Sequence, residues 1–320
     1  MSSSPPPPVG RLAPSPTGLL HLGHARSFLL AWWHSRARGG RILLRIEDLD
    51  AGRVRPGLTR ELLADLAWLG LDWDGEPLVQ SRDTAALRAA ADELLLRGLA
   101  YPCTCSRRDV ELAASAPHPE DGETRYPGTC RGRYASVAAA ERESGRPAGV
   151  RFRVPDGKVL WRDELRGLSR HDPAREVGDF LVARRDGAYA YQLAVVVDDA
   201  RQGVTEVLRG DDLAPSTARQ LLLQRALGLP HPRWLHVPLV VDEDGRRLAK
   251  RHGDVALASL RAEGTDPRAV VAWAARTAGQ SAPDRLTPAE LLPRFDLARL
   301  PLSPVPLAAA TLAQLRAARP

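Results

Sequence analysis

Lysine is nearly absent from this chain of 320 residues, in which arginine fills every basic position except Lys158 and Lys250. A compact ammonium group and a planar guanidinium group are not interchangeable at a crowded phosphate. Each lysine is therefore a candidate for a task that arginine cannot perform. Lys158 falls in a predicted hairpin, where we expect it to be solvated, which leaves Lys250 as the candidate for chemistry.

Long apolar runs are also missing. No stretch reaches the roughly 18 apolar residues that predict a membrane-spanning helix. Residues 1–8 are Ser- and Pro-rich and lack the basic start and apolar centre of a signal peptide. We expect them to form a disordered leader on a cytoplasmic protein that does not enter a membrane.

Cysteine is scarce and clustered, since Cys103, Cys105 and Cys130 are the only ones. An odd number in a protein expected to be cytoplasmic argues against a disulfide framework. Clustered thiols of this kind are typical of zinc sites, and tetrahedral Zn²⁺ requires a fourth donor. General chemistry favours His118 for that position, and the alternative to a zinc site is three free buried thiols.

The composition permits a large core and an anionic partner. With 44% hydrophobic residues, the chain suits one large domain with a smaller satellite. The net charge is +6 and the pI is about 9.7, which is compatible with a nucleic acid without identifying one.

Residues 12–24 join a short apolar strand to a long predicted helix through a Pro-Ser-Pro-Thr-Gly turn. His21 and His24 are three residues apart, so they share one face of the helix. They lie where unpaired backbone N–H groups and the helix dipole favour anions. Gly18 and Gly23 have no Cβ, so a phosphate could approach the backbone closely. The pattern predicts an anion site, the alternative being two solvated histidines.

The same region predicts a strand–helix–strand unit. The short apolar strand is followed by a predicted helix over residues 23–38 and a predicted strand over residues 41–46. Ligands of such sheets bind beyond the carboxyl ends of the strands. We therefore expect Arg11 and Ser15, after the first strand, to lie beside Glu47, after the second.

The rest of the chain alternates between predicted helices and strands. The predicted helices are 58–69, 84–97, 215–227, 255–263, 267–278 and 288–292. The predicted strands are 150–154, 158–161, 179–182, 190–197, 204–208 and 236–241. The range 190–197 is almost entirely apolar, which favours a buried parallel strand.

Several of these motifs resemble signatures of class I aminoacyl-tRNA synthetases. Residues 12–24 resemble the HIGH signature, with Leu22 at the isoleucine position, and residues 11–18 are similar to its glutamyl branch. Residues 45–50 resemble the R-I-E-D-T-D signature of glutamyl-type enzymes. Residues 247–251 resemble the KMSKS loop, in which Arg247 replaces the first lysine, Ala249 and Arg251 replace the serines, and Lys250 remains.

This resemblance implies a set of site residues. By it, glutamate is bound by Arg11, Ala13, Ser15, Glu47, Tyr191 and Arg209; ATP is bound by His21, Gly23, His24, Leu248 and Lys250; and His21, His24 and Lys250 are catalytic. In the family, the residue matching Glu47 receives the α-amino group and the one matching Arg11 meets a carboxylate. The arginine matching Arg209 pairs with the side-chain carboxylate and so selects glutamate over glutamine.

The cysteine region resembles the short synthetase-like proteins that modify queuosine. These carry C-x-C followed by Y-x₃-C, an arrangement that this chain repeats in Cys103, Cys105, Tyr126 and Cys130. The resemblance therefore selects Tyr126 over His118 as the fourth ligand of one structural zinc ion.

The resemblance covers residues 9–300 and implies an α/β Rossmann-type fold with a zinc-binding insertion and a short helical C-terminal region. The expected divisions are 1–8, a leader; 9–100, the first half of the catalytic domain; 101–190, the insertion; 191–254, the second half with the KMSKS-like loop; and 255–320, a helical stem-like region. The last range is too short for the anticodon-binding region of a full glutamyl-tRNA synthetase.

The implied function is that of the truncated paralogues of glutamyl-tRNA synthetase. A monomer would use ATP and Mg²⁺ to convert L-glutamate into glutamyl-adenylate without tRNA. It would then transfer glutamate to the queuosine cyclopentenediol of tRNA(Asp). The alternatives are a glutamyl-tRNA synthetase core acting on tRNA(Glu), and a non-catalytic RNA-binding paralogue.

Overall fold

The computed structural model describes residues 6–113, 125–246, 248 and 256–320. The strands in these ranges are β1 (Val9–Leu12), β2 (Arg41–Ile46), β3 (Leu78–Val79), β4 (Ala100–Cys103), β5 (Gly149–Phe152), β6 (Val159–Asp163), β7 (Gly167–His171), β8 (Phe180–Ala183), β9 (Glu206–Gly210), β10 (Arg233–Val237), β11 (Val240–Val241) and β12 (Val305–Pro306). Residues 1–5 of the predicted leader lie outside the described residues.

The helices surround these strands. They are α1 (Leu22–Arg36), α2 (Leu58–Trp68), α3 (Ala85–Leu96), α4 (Arg107–Ala113), α5 (Val137–Ser144), α6 (Pro173–Glu176), α7 (Tyr191–Gln202), α8 (Ala214–Leu227), α9 (Leu257–Ala262), α10 (Pro267–Thr277), α11 (Pro288–Leu291) and α12 (Ala309–Ala317). Among the described residues, no helix combines the length and apolarity needed to cross a membrane.

A parallel layer positions the predicted site. Strands β1, β2 and β3 pair in parallel, with Arg11 of β1 opposite Leu43 of β2. Strands β9 and β10 also pair in parallel. The two groups meet where the Thr205 N–H, just before β9, donates to the Val9 carbonyl oxygen at 2.9 Å. The carboxyl ends of β1, β2 and β9 therefore lie along one edge, as the predicted α/β fold requires.

The remaining strands either extend this layer or lie outside it. Strand β6 pairs in parallel with β10 and antiparallel with β7, although both β6 and β7 fall in the range 101–190 predicted as an insertion. Strands β4, β5 and β8 form a separate antiparallel sheet that carries Cys103 at its edge. Strand β11 pairs with β12 near the chain's end.

Helix α1 is the buried centre of one core cluster. Leu22, Leu29 and Trp33 are fully buried, and the Trp33 indole donates to the Pro288 carbonyl oxygen at 3.0 Å. Burying a large apolar side chain contributes about 1.5–3 kcal/mol. The cluster also includes α10 and residues of β2 and β10, so the C-terminal helices pack on the strand layer that holds the site.

The predicted strand over residues 190–197 is wrong, because the structure has helix α7 there. An apolar run cannot by itself distinguish a buried strand from a buried helix. The residues from Leu193 to Val197 are at most 6% exposed, so the middle of α7 is covered on every side. Gly203 ends the helix in the left-handed conformation, with φ of 66°. As a helix, the segment turns Asp198 and Asp199 inward.

A charged cluster ties the opposite end of β9 to α1. Glu206 is 4% exposed and accepts from His34 at 2.7 Å and Arg38 at 2.6 Å through one oxygen, and from Arg233 at 3.1 Å through the other. Burial alone would raise the pKa of Glu206, but the hydrogen bonds from His34 and Arg38 outweigh it and lower the pKa from 4.5 to about 2. Glu206 therefore stabilises the fold in its charged form.

Acid is expected to remove this contribution. A carboxyl whose pKa is lower in the folded state stabilises the fold fully above its unfolded pKa, and loses that effect as pH falls toward its folded pKa. For Glu206 the window runs from pH 4.5 down to about 2, and the contribution is roughly 3 kcal/mol. Urea unfolding of the wild-type protein across this window should show the free energy of unfolding falling as the pH is lowered. In Glu206→Gln, stability should be lower at pH 7 and fall less with acid, and an equally steep fall would contradict the assignment.

Candidate active site and metal cluster

The histidine pair begins α1, as predicted. His21 is the N-cap residue, and its Nδ1 accepts the Gly23 N–H at 3.1 Å, while the His21 N–H donates to Nδ1 of His24 at 3.1 Å. The two ring centroids are 3.7 Å apart. Two imidazoles thus lie at a helix N-terminus, which is a favourable position for anions.

Gly23 is required by this geometry. A Cβ at Gly23 would lie 2.9 Å from Cε1 of His21 and 3.6 Å from Cβ of Val240. Any other residue would therefore push the imidazole of His21 away from the helix start, whereas its contact with Val240 would be an ordinary van der Waals contact.

The segment that follows β11 returns to this helix start. Ala256 forms an antiparallel bridge with His21, and the Leu257 N–H donates to the Leu20 carbonyl oxygen at 2.9 Å. Leu248 is 4% exposed. Lys250, Arg247, Ala249 and Arg251 lie outside the described residues, whereas Val240 before this stretch and Ala256 after it both lie near the histidine pair.

A second group of charges surrounds Glu47 at the end of β2. The Glu47 N–H donates to the Pro14 carbonyl oxygen at 3.0 Å, and the Ser15 hydroxyl donates to Oε2 of Glu47 at 3.5 Å. This places the two loops side by side, as predicted. Burial raises the pKa of Glu47, an effect that Arg45 and Arg11 oppose. Ala13 is half-buried in the same loop.

Arg45 and Asp199 hold this group in place, and the sequence analysis did not single out either one. Arg45 is fully buried and donates to Asp199 at 2.7 Å and to Oε1 of Glu47 at 3.2 Å. Burial alone would lower the pKa of Arg45, but Asp199 and Glu47 raise it above its usual range. The charged residues within the apolar runs of β2 and α7 were the available signal, since charges are rarely buried unless paired.

Arg11 and Arg209 complete the cluster. Nη1 of Arg11 donates to the Leu208 carbonyl oxygen at 3.3 Å, and its Nε is 3.6 Å from Oδ1 of Asp199. Arg209 is 5% exposed. Burial lowers its pKa, as does Arg11, while Tyr191, Asp199 and Glu47 oppose this effect. Tyr191 is 37% exposed at the first turn of α7. The structure thus brings together the side chains predicted to bind glutamate.

Two polar atoms in this cluster are buried without a hydrogen-bond partner among the residues that the structure describes. They are Nε of Arg11 and Nη1 of Arg209. A buried donor of a charged group is costly to leave unpaired. Nε of Arg11 still has the charge of Asp199 beside it, so Nη1 of Arg209 is the clearer open donor for a ligand carboxylate.

The three cysteines converge with Tyr126. Their Sγ atoms lie within 4.8 Å of one another. The Tyr126 hydroxyl is 3.4 Å from Sγ of Cys103 and 3.7 Å from Sγ of Cys105, and Sγ of Cys105 is 3.5 Å from Sγ of Cys130. Ligands 2.3 Å from a tetrahedral zinc ion are about 3.8 Å apart. The three cysteine sulfurs are therefore close enough to hold one metal ion, with the Tyr126 hydroxyl beside them, whereas His118 lies outside the described residues.

Neighbouring groups support this donor set. Arg151 lies over the Tyr126 ring at 3.8 Å and donates from Nε to Sγ of Cys103 at 3.3 Å. Burial raises the pKa of the Cys105 thiol to about 12 and raises that of the Tyr126 phenol as well. A metal ion bound here would have to displace these protons, since a bound cation favours the deprotonated forms of such ligands.

The fold and the site together define the catalytic domain of a class I tRNA synthetase. Residues 9–290 match the family model described as "tRNA synthetases class I (E and Q), catalytic domain", and the chain belongs to that family of ligases. Curated relatives named "Glutamyl-Q tRNA(Asp) synthetase" are similar over almost their whole length. The one from Symbiobacterium thermophilum is 49% identical, over 96% of this chain and 98% of the relative. The one from Deinococcus radiodurans is 51% identical, over 89% of this chain and 95% of the relative.

Solved structures agree on the fold. A glutamate tRNA ligase from Elizabethkingia meningosepticum, crystallised in complex with its amino acid, superposes with a TM-score of 0.82. The match covers 97% of this chain and 68% of that one at 24% identity. At this identity the similarity concerns the fold alone.

Proposed function

We propose that this enzyme activates L-glutamate with ATP in the absence of tRNA and transfers glutamate to the cyclopentenediol of queuosine in tRNA(Asp). The unpaired Nη1 of Arg209, buried beside Glu47 and Arg11, is the observation that carries the amino-acid part. The tRNA acceptor follows from the names of the curated relatives. A monomer would suffice, because one chain supplies every residue assigned to the substrates. We also propose that the enzyme acts in the cytoplasm.

The amino-acid pocket would read glutamate by charge. Glu47, with Ser15 beside it, would receive the α-amino group, and Arg11 and Arg209 would face carboxylates. Ala13 and Tyr191 would line the same pocket. A buried charged nitrogen without a partner, such as Nη1 of Arg209, discriminates strongly against an uncharged analogue, because that nitrogen would face no carboxylate. Glutamine should therefore be a poor substrate.

Activation would take place at the start of α1. One oxygen of the glutamate α-carboxylate attacks the α-phosphorus of ATP; that bond forms while the bond to pyrophosphate breaks. His21 and His24, with Gly23 leaving room, would stabilise negative charge that develops on the phosphates. Leu248 would lie against ATP, and Lys250 would neutralise phosphate charge. Mg²⁺ would accompany ATP as part of the substrate.

Cys103, Cys105, Tyr126 and Cys130 would hold one structural zinc ion. The ion would organise the loop between β4 and β5, because a bound metal contributes its binding energy to folding. This assignment concerns the shape of the region and not the chemical step.

Zinc analysis of two variants tests the fourth ligand. Wild type should contain about one zinc per chain, and Tyr126→Phe should bind zinc roughly tenfold or more weakly because one of four donors is lost. His118→Ala is the matched control and should keep the zinc content and melting temperature of wild type. Zinc loss in His118→Ala with full retention in Tyr126→Phe would reverse the assignment.

A transfer assay tests the acceptor. Radiolabelled glutamate is offered with tRNA(Asp) that carries queuosine, the same tRNA without queuosine, and tRNA(Glu). A fourth sample, queuosine-containing tRNA(Asp) without its 3′-terminal adenosine, has no ordinary attachment site. Label should appear in both queuosine-containing samples and in neither of the others. Label on tRNA(Glu) alone would indicate a glutamyl-tRNA synthetase core, and activation without any transfer would also reject the proposal.

A further inference from the structure

Arg209 is held by several partners and has one free donor. Its Nη2 donates to the Thr217 hydroxyl at 2.9 Å and to the Leu213 carbonyl oxygen at 3.2 Å. Its Nε donates to Nε2 of His236 at 3.0 Å. The guanidinium carbon lies 4.9 Å from the ring centroid of Trp234. Nη1 is the donor left without a partner among the residues described, so the neighbours determine where that donor points.

His236 is itself oriented by Asp163. His236 is fully buried, and its Nδ1 is 2.6 Å from Oδ2 of Asp163, which also accepts the His236 N–H at 3.1 Å. The other oxygen of Asp163 accepts the N–H groups of Leu165 and Arg166, both at 2.9 Å. This carboxylate is therefore satisfied by four donors and cannot rotate without losing some of them.

These contacts fix the tautomer of His236. The Nε of an arginine is always a donor, so Nε2 of His236 must be an acceptor. The proton therefore lies on Nδ1, where Asp163 accepts it. Burial lowers the pKa of His236 to about 4, which agrees with a neutral ring. A protonated Nε2 would place two N–H groups against each other.

We propose that His236 and Asp163 are positioning residues for the glutamate pocket: Asp163 fixes the ring of His236, whose Nε2 holds Arg209 with Nη1 directed to the substrate carboxylate. The inference rests on the proposed function. It adds a chain of contacts from Asp163 on β6 through His236 on β10 to Arg209 on β9. His236 and Asp163 need not touch the substrate.

Two substitutions of His236 separate its two contacts. In His236→Gln, the amide oxygen can replace Nε2 as the acceptor for Arg209. In His236→Asn, the shorter amide can replace Nδ1 as the donor to Asp163, but nothing then accepts from Nε of Arg209. Both remove the imidazole, so each is the structural control for the other. The readout is glutamate-dependent ATP–pyrophosphate exchange, with KM measured for glutamate and for ATP, together with melting temperature.

We expect His236→Asn to raise the KM for glutamate about tenfold to a hundredfold, since a hydrogen bond to a charged group is lost. His236→Gln should raise it far less, and the KM for ATP should stay within about twofold in both, since the phosphate site is untouched. Equal effects of the two variants, or no effect in His236→Asn, would overturn the inference.

Asp163→Asn provides a second test if His236→Asn does not fold. The amide keeps the shape of the side chain but cannot accept all four N–H groups, so the ring of His236 loses its fixed orientation. The KM for glutamate should rise while the KM for ATP stays close to that of wild type, and an unchanged KM for glutamate would overturn the inference. The exchange activity of the wild-type enzyme separates a failure of the proposed function from a failure of this inference. If wild type shows no exchange with glutamate, the proposed function fails and this inference fails with it; if only the variants behave otherwise, the inference alone fails.

Discussion

Replacing Arg209 by methionine is expected to lower kcat/KM for glutamate about a thousandfold in ATP–pyrophosphate exchange. Removing one partner of a buried charge pair typically costs 2–5 kcal/mol or more, because the other charge is left unpaired. Here that other charge is the substrate carboxylate. The loss should fall mainly on the KM for glutamate, because the guanidinium group would bind the ground state as well as the transition state.

A matched variant separates this effect from general loss of charge. Arg162 is exposed on β6, and Arg162→Met should leave both Michaelis constants close to those of wild type. Circular dichroism and melting temperature establish that Arg209→Met is folded. A folded Arg209→Met enzyme with normal glutamate kinetics would remove Arg209 from the pocket.

Replacing His21 by asparagine is expected to lower kcat by about a hundredfold to a thousandfold, the usual cost of losing one preorganised donor to a developing charge. The choice of asparagine matters because His21 is also the N-cap of α1, where its side chain accepts the Gly23 N–H. Asparagine is among the best N-cap residues. It therefore keeps the structural contact and removes the imidazole.

His21→Ala completes the comparison. It should lose activity to a similar extent and also lose about 1 kcal/mol of stability through the missing cap. Exchange kinetics give the catalytic effect and urea unfolding gives the structural one. If His21→Asn kept full activity while His21→Ala lost it, the histidine would act only as a cap, and its assigned role at the phosphates would be wrong.

Local chemistry explains why much of the site could be predicted. The start of α1 at the histidine pair depends on residues only three apart, and the strand–helix–strand unit places Glu47 beside Ser15 by a general rule of parallel sheets. The convergence of Cys103, Cys105 and Cys130 was likewise predicted from their clustering. In each case, the residues that determine the structure are close together in the sequence or belong to one supersecondary unit.

Contacts between distant segments explain what could not be predicted. Helix α7 looked like a strand because burial on every side gives either element an apolar run, and only the packed structure shows which one forms. The pair of Arg45 and Asp199 and the pair of His236 and Asp163 link residues 154 and 73 positions apart. A single sequence gives no direct sign of such pairing beyond a polar residue in an apolar segment.

The central claim is that this chain alone activates glutamate, and ATP–pyrophosphate exchange without tRNA tests it most directly. Purified enzyme, ATP, Mg²⁺ and labelled pyrophosphate are incubated with L-glutamate, and in parallel with L-glutamine. We expect exchange with glutamate, little with glutamine, and no requirement for tRNA. Exchange that appears only when tRNA(Glu) is added would indicate an ordinary glutamyl-tRNA synthetase core. No exchange under any condition would contradict the account and favour a non-catalytic paralogue.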